Sequence, residues 1–157
     1  MKKPAILAAL AVLALPAQAE HDDDRPAAPK HPAFAEECGS CHLAFPPSLL
    51  DANSWRAVMN GLPRHFGVDA SLDDKRRQAI TDHLVANAGD RKTGVTVDGV
   101  GKPFLRVTES SRFVRKHREV GAAVWQRPAI KSRSNCVACH AHAADGDFEE
   151  RNVRIPK

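Results

Sequence analysis

Residues 135–142 read Asn-Cys-Val-Ala-Cys-His-Ala-His, and the pentapeptide Cys136-Val137-Ala138-Cys139-His140 repeats the pattern of Cys38-Gly39-Ser40-Cys41-His42. The chain has four cysteines, and the two pentapeptides use all of them. Cys-x-x-Cys-His is the attachment signature of c-type haem. Two thiols three positions apart on a helical turn face one way and reach the two vinyl groups of one porphyrin, while the next residue sets an imidazole under the iron. Two disulfides would be the ordinary expectation for four cysteines in an exported chain. A zinc site built from all four would need the motifs to converge and would leave both histidines unexplained. The patterns therefore predict two covalent haems c, one on Cys38 and Cys41 with His42 as axial ligand, the other on Cys136 and Cys139 with His140.

Export is legible at the other end. Lys2 and Lys3 precede the apolar run from Pro4 to Leu15, and Ala17-Gln18-Ala19 has the small residues of a cleavage site, the layout of a secretory signal. A bilayer-spanning helix needs about twenty apolar residues, whereas this run is shorter, meets Pro16 and is followed at once by HDDDR. Cleavage after Ala19 leaves 138 residues and removes two lysines, lowering the net charge from +4 to +2. That balance does not suggest a nucleic-acid partner. Aromatic residues make up 5% of the chain, with no tyrosine, so side chains alone underfill a core that large apolar cofactors would complete.

The expected organisation is mainly α: a signal peptide over 1–19, a flexible leader over 20–33, a first haem domain over 34–92 and a second over 93–157. Pro32 starts a short helix with Phe34, Cys38 and Cys41 on one face. Ser54 caps a second helix with an inner stripe of Trp55, Val58, Met59 and Leu62. The clearest helix runs from Leu72 to about Ala88, with Ser71 as its cap, Gly89 as its stop and a stripe of Leu72, Ala79, Ile80, His83 and Leu84. Residues 89–94 read as a linker, and 95–108 as extended chain with room for a short hairpin. Ser110 or Ser111 then caps a helix through RFVRKHREV, and a loop with Trp125 and Pro128 leads to the second motif.

Each motif supplies one axial ligand, so two more are needed for six-coordinate irons. The mature chain has one methionine, Met59, on an apolar stripe where core filler is the better reading. Outside the motifs stand His21, His31, His65, His83, His117 and His142. His21 lies in the leader. His142 is two residues past His140, too near to cross the porphyrin, and reads as a surface residue. Seventeen residues follow His140, too few to repeat the plan of a single-haem class I cytochrome, whose distal ligand comes after the motif. The second distal ligand must come from upstream, and His117 leads, sharing a helix face with Phe113 and Val120. For the first haem His65 is favoured over His83, because the loop LPRHFG lies where a class I cytochrome presents its distal methionine; His31 is a reserve.

The blocks ECGSCHLAFPPSLL with SWRAVM, HFGVDASLDD, and RFVRKHREV through VWQRP and NCVACHAHAADGDFEE resemble the small soluble dihaem cytochromes c of bacteria. The resemblance implies an N-terminal domain similar to a class I cytochrome c, a less regular C-terminal haem domain, and bis-histidine ligation by His42 with His65 and by His140 with His117. It also implies electron exchange with a membrane b-type cytochrome and a small soluble oxygen-binding haem protein.

With both irons closed by protein imidazoles, the expectation is an electron carrier rather than an enzyme: a low-potential periplasmic relay. The rival is a small haem enzyme or ligand-binding haem protein, peroxidase-like or a gas sensor, which needs one open or labile axial position. The cations Arg112, Arg115, Lys116 and Arg118 could steer an acidic partner or form a solvated helix face, and the acidic run 145–150 offers them opposite charge nearby.

Overall fold

The computed structural model describes residues 28–90 and 101–157. The signal, most of the leader, His21 and the segment 91–100 lie outside the described residues.

Helix α1 spans Pro32–Gly39. Proline at its first position is preorganised for a helix and loses no hydrogen bond there. His31 is the cap, its Nδ1 accepting the Phe34 N–H at 3.1 Å. Phe34 is buried and Cys38 packs against the same core. The helix stops before Cys41, so of the expected Phe34, Cys38 and Cys41 face only the first two lie on it.

Helix α2 spans Ala52–Asn60, and its cap corrects the sequence reading. Asp51, not Ser54, accepts the orphan amide, that of Ser54, at 2.7 Å. Ser54 lies inside the first turn, fully buried, where its Oγ accepts the Phe104 N–H at 2.9 Å. Trp55, Met59 and Leu62 are buried as expected, and Val58 packs at the margin. The Trp55 indole N–H donates to the Pro47 carbonyl at 2.6 Å, fixing the turn Pro47–Leu49 beneath α2.

Helix α3 spans Asp74–Ala86 with Asp73 as its cap, starting two residues later than expected. The reason is local: Asp69 accepts the Ser71 N–H at 2.9 Å, an Asx turn that holds Ser71 outside the helix. At the other end Asn87, not Gly89, caps the helix, while Gly89 donates its N–H to the Leu50 carbonyl at 2.8 Å. Ile80 and Leu84 are almost wholly buried, each worth about 1.5–3 kcal/mol of transfer free energy. Leu72 is partly buried, and Ala79 is exposed.

Helices α1 and α2 both pack on α3. Their shared core of Phe34, Leu50, Trp55, Met59, Leu62, Ile80 and Leu84 also takes in Val107, with Phe104 against it. A segment beyond the expected boundary at residue 93 therefore completes the first core.

The rest is less regular. Helix α4 spans Ser111–Lys116 and α5 spans Ala122–Trp125; a 3-10 turn at Val107–Glu109 precedes α4, and others at Cys136–Ala138, Ala143–Asp145 and Glu150–Asn152 follow α5. Of the expected extended segment 95–108 the described part is 101–108, in which 101–106 are irregular chain and 107–108 belong to a 3-10 turn; among the described residues pairing is confined to isolated bridges such as His140 with Val153. Among the described residues of this half, only Phe113, Ile130 and Ala143 are buried apolar residues outside the first core. No helix among the described residues is long and apolar enough to cross a membrane.

Candidate haem-binding sites

At the first site α1 delivers Cys38 and the bend after it delivers Cys41 and His42. Burial, then the negative charge of Glu37, push the Cys38 thiol up to about 11, so it stays neutral. The exposed Cys41 Sγ lies 3.7 Å from the Ser40 hydroxyl. The His42 Nδ1 sits 2.6 Å from the Leu43 carbonyl, a contact in which Nδ1 carries the proton and leaves Nε2 free to ligate. Phe45 stacks along this imidazole, 5.1 Å between ring centres at 26°.

Facing it is His65, at the end of the 3-10 turn Leu62–Arg64. The two ring centres are 6.2 Å apart, their planes inclined by 24°. His65 has its proton affinity lowered by burial first, then by His42 and Arg106, which favours the neutral form a metal needs.

The second site is assembled from further apart. Ser110 caps α4, its hydroxyl accepting the Phe113 N–H at 3.2 Å and donating to the Val107 carbonyl at 2.8 Å. His117 is the residue at the C-terminal end of this helix, beyond the regular turns rather than within them as expected. Its Nδ1 lies 2.9 Å from the Phe113 carbonyl, again turning Nε2 outward. Phe113 and Trp125 flank it, with ring centres 4.0 Å and 5.7 Å away, and the Trp125 N–H is anchored on the Val120 carbonyl at 3.1 Å.

The opposite wall is the second motif. The His140 N–H donates to the Cys136 carbonyl at 2.8 Å, and the Arg154 N–H to the Cys139 carbonyl at 2.9 Å, so the C-terminal strand of chain pins the motif. Arg127 adds a hydrogen bond to the Pro156 carbonyl at 2.6 Å. The rings of His117 and His140 are 6.1 Å apart with planes at 75°. Both have lowered proton affinity, burial being the largest cause. Burial also raises the thiols of Cys136 and Cys139.

Two imidazoles bound to opposite sides of one metal, with bonds of about 2 Å and about 1 Å from nitrogen to ring centre, have centres about 6 Å apart. Both pairs have that separation, each beside a cysteine pair, and the residues fit a haem at each place. The other described histidines go elsewhere. His31 and His83 pair with each other at 4.9 Å against Phe34. His142 is exposed, and Met59 is core. Sequence reasoning missed Phe45, Arg106 and Phe148, the last 5.2 Å from His140. Phe45 lies three residues past its motif, a spacing that could have flagged it; Arg106 acts at long range and left no local signal.

A helical chain with two thioether-forming motifs, each facing a second imidazole, is by its construction a multihaem c-type cytochrome. The model of the family described as dihaem cytochrome c matches residues 34–148, and the chain belongs to that family; its cofactors are two covalently bound haems c. Among solved structures it is similar to a dihaem cytochrome c from Shewanella baltica, with 38% identity, a TM-score of 0.67 and coverage of 79% of this chain and 91% of that one. It is similar also to a dihaem cytochrome c from Rhodobacter sphaeroides, with 42% identity, a TM-score of 0.68 and coverage of 75% and 96%. A second structure from that organism, of the protein called DHC, is 44% identical with a TM-score of 0.63 over the same coverage. A search of curated proteins returns no significant match. The protein is an electron-transfer haem protein.

Proposed function

We propose that this chain is a periplasmic, low-potential electron relay whose two haems are both bis-histidine: His42 with His65, and His140 with His117. The observation that carries this reading is the pair of imidazole separations, 6.2 Å and 6.1 Å, each joining a motif histidine to one from outside it. When bound, each haem supplies one ferric/ferrous couple that takes up and releases a single electron. The protein's part is to hold the iron closed. With Nδ1 of His42 and His117 engaged by backbone carbonyls, those rings are held with Nε2 free, and two imidazoles on each iron would leave no position for a substrate. Histidine in place of methionine withholds the ligand that raises potential, which sets both couples low.

The signal over 1–19 accounts for delivery to the periplasm, where thioethers form, and the mature chain works as a first haem unit over 34–92 and a second over 93–157, with Phe104 and Val107 of the second completing the core of the first. Its partners in this reading are redox proteins: a membrane b-type cytochrome met peripherally, and a small soluble haem protein. Spectroelectrochemical titration tests the relay. It should give two one-electron couples, both below those of His/Met cytochromes; a couple in the His/Met range, or turnover of peroxide by the isolated protein, contradicts it.

A further inference from the structure

His65 is presented by a turn that its own sequence disfavours. The His65 carbonyl accepts the Val68 N–H at 3.1 Å, and the two residues between them both have positive φ, 51° at Phe66 and 98° at Gly67. A turn with both central residues left-handed ordinarily carries Asn-Gly. Glycine enters that region freely, whereas a bulky residue there is an outlier held by its surroundings. Core burial does not hold Phe66, which is 48% exposed.

What the ring does have is Arg106, whose guanidinium carbon stands 3.9 Å from the ring centre. Arg106 is not a free surface cation. Two residues before it, Phe104 is bonded to the buried Ser54 hydroxyl; one residue after it, Val107 is buried in the first core. The Arg106 Nε also lies 3.6 Å from the Glu109 carboxylate. The segment that enters from the C-terminal half thus sets a cation over the one strained residue beside His65.

We propose that Arg106 is a positioning residue for the first haem: stacked on Phe66, it clamps the left-handed His65–Val68 turn shut and keeps the His65 imidazole directed at the iron. The inference rests on His65 as the distal ligand. The same cation stands beside the first haem's ligand loop, and a nearby positive charge favours the ferrous over the ferric state by Coulomb repulsion, so Arg106 also raises the potential of the first couple. The second site needs no such device, because His117 is held by the carbonyl of its own helix.

The test compares the holoprotein with Arg106→Ala, Arg106→Lys, Phe66→Leu and His65→Ala, reading the rate of carbon monoxide uptake by the reduced protein and both midpoint potentials. Arg106→Ala should speed uptake at one haem about fivefold, the factor carried by an exposed cation–π contact, and lower that haem's potential while the other couple stays in place. Arg106→Lys should restore both readings, and Phe66→Leu should repeat the faster uptake with the charge intact. If Arg106→Ala and Phe66→Leu take up carbon monoxide at the parent rate while His65→Ala takes it up freely, the clamp is wrong and the ligand right, even where the potential moves. If His65→Ala itself stays low-spin and closed to carbon monoxide, the ligand reading beneath the clamp fails.

Discussion

The imidazole of His117 lies 4.0 Å from the ring of Phe113, centre to centre, and its Nδ1 meets the carbonyl of that same residue at 2.9 Å. One buried phenylalanine therefore sets both the tilt and the tautomer of the imidazole, leaving Nε2 free on a ring whose centre is 6.1 Å from that of His140. The expected consequence of His117→Ala is a high-spin second haem that takes up added imidazole, with the first haem unchanged. Optical and magnetic circular dichroism spectra check it; an unaltered low-spin spectrum would reject the assignment.

Ser110 carries the helix that ends in His117. Its hydroxyl caps α4 and also donates to Val107 from a nearly fully buried position. Ser110→Ala should cost about 0.5–2 kcal/mol, the range of a lost N-cap, seen as a lower denaturation midpoint with the low-spin spectrum retained below the transition. A variant as stable as the parent would show that the cap does not matter here.

Among the described residues the second half buries only Phe113, Ile130 and Ala143 outside the first core, so the porphyrin is expected to supply much of its apolar contact. Replacing Cys136 and Cys139 together by alanine should abolish covalent retention of one haem on a denaturing gel. Limited proteolysis should then cut the C-terminal half faster than the first. Equal protease resistance in the two proteins would mean that this half holds its shape without the covalent link.

Acid stability should pass through His83. Its proton affinity is lowered below the ordinary 6.5, by burial first and by the neighbouring His31 second. The unfolded chain keeps a value of about 6.5, so as pH falls through that value the unfolded state takes up the proton first. This contribution to stability is present above about pH 6.5 and is progressively lost below it. His83→Gln should flatten the decline in denaturation midpoint between about pH 6.5 and 5; an unchanged slope would assign the decline to other groups.

Much of the first unit was legible because its signals are local: Pro32 at a helix start, the Trp55, Met59, Leu62 stripe, the inward Ile80 and Leu84. The caps were misread where two good capping residues compete within a few positions. Asp51 displaced Ser54, whose hydroxyl is taken by Phe104 fifty residues on, and Asp73 displaced Ser71, already tied to Asp69. His117 could be singled out by counting histidines against irons, yet its place at the end of α4 could not, because α4 is too short to announce where it stops. The hold of Arg106 on Phe66 is a contact between distant segments, and Phe66 shows no strain in sequence. Aromatic walls such as Phe45 and Phe148 likewise depend on how the chain wraps each site.

The central claim is that both irons are closed by two protein imidazoles. Electron paramagnetic resonance of the oxidised wild-type protein, paired with optical spectra of the reduced protein under carbon monoxide, tests it most directly. The account predicts two low-spin ferric signals, distinct because the ring planes are inclined by 24° at one site and 75° at the other, and no ready carbon monoxide binding. A high-spin ferric signal, or prompt formation of a carbon monoxide adduct at either haem, would contradict it.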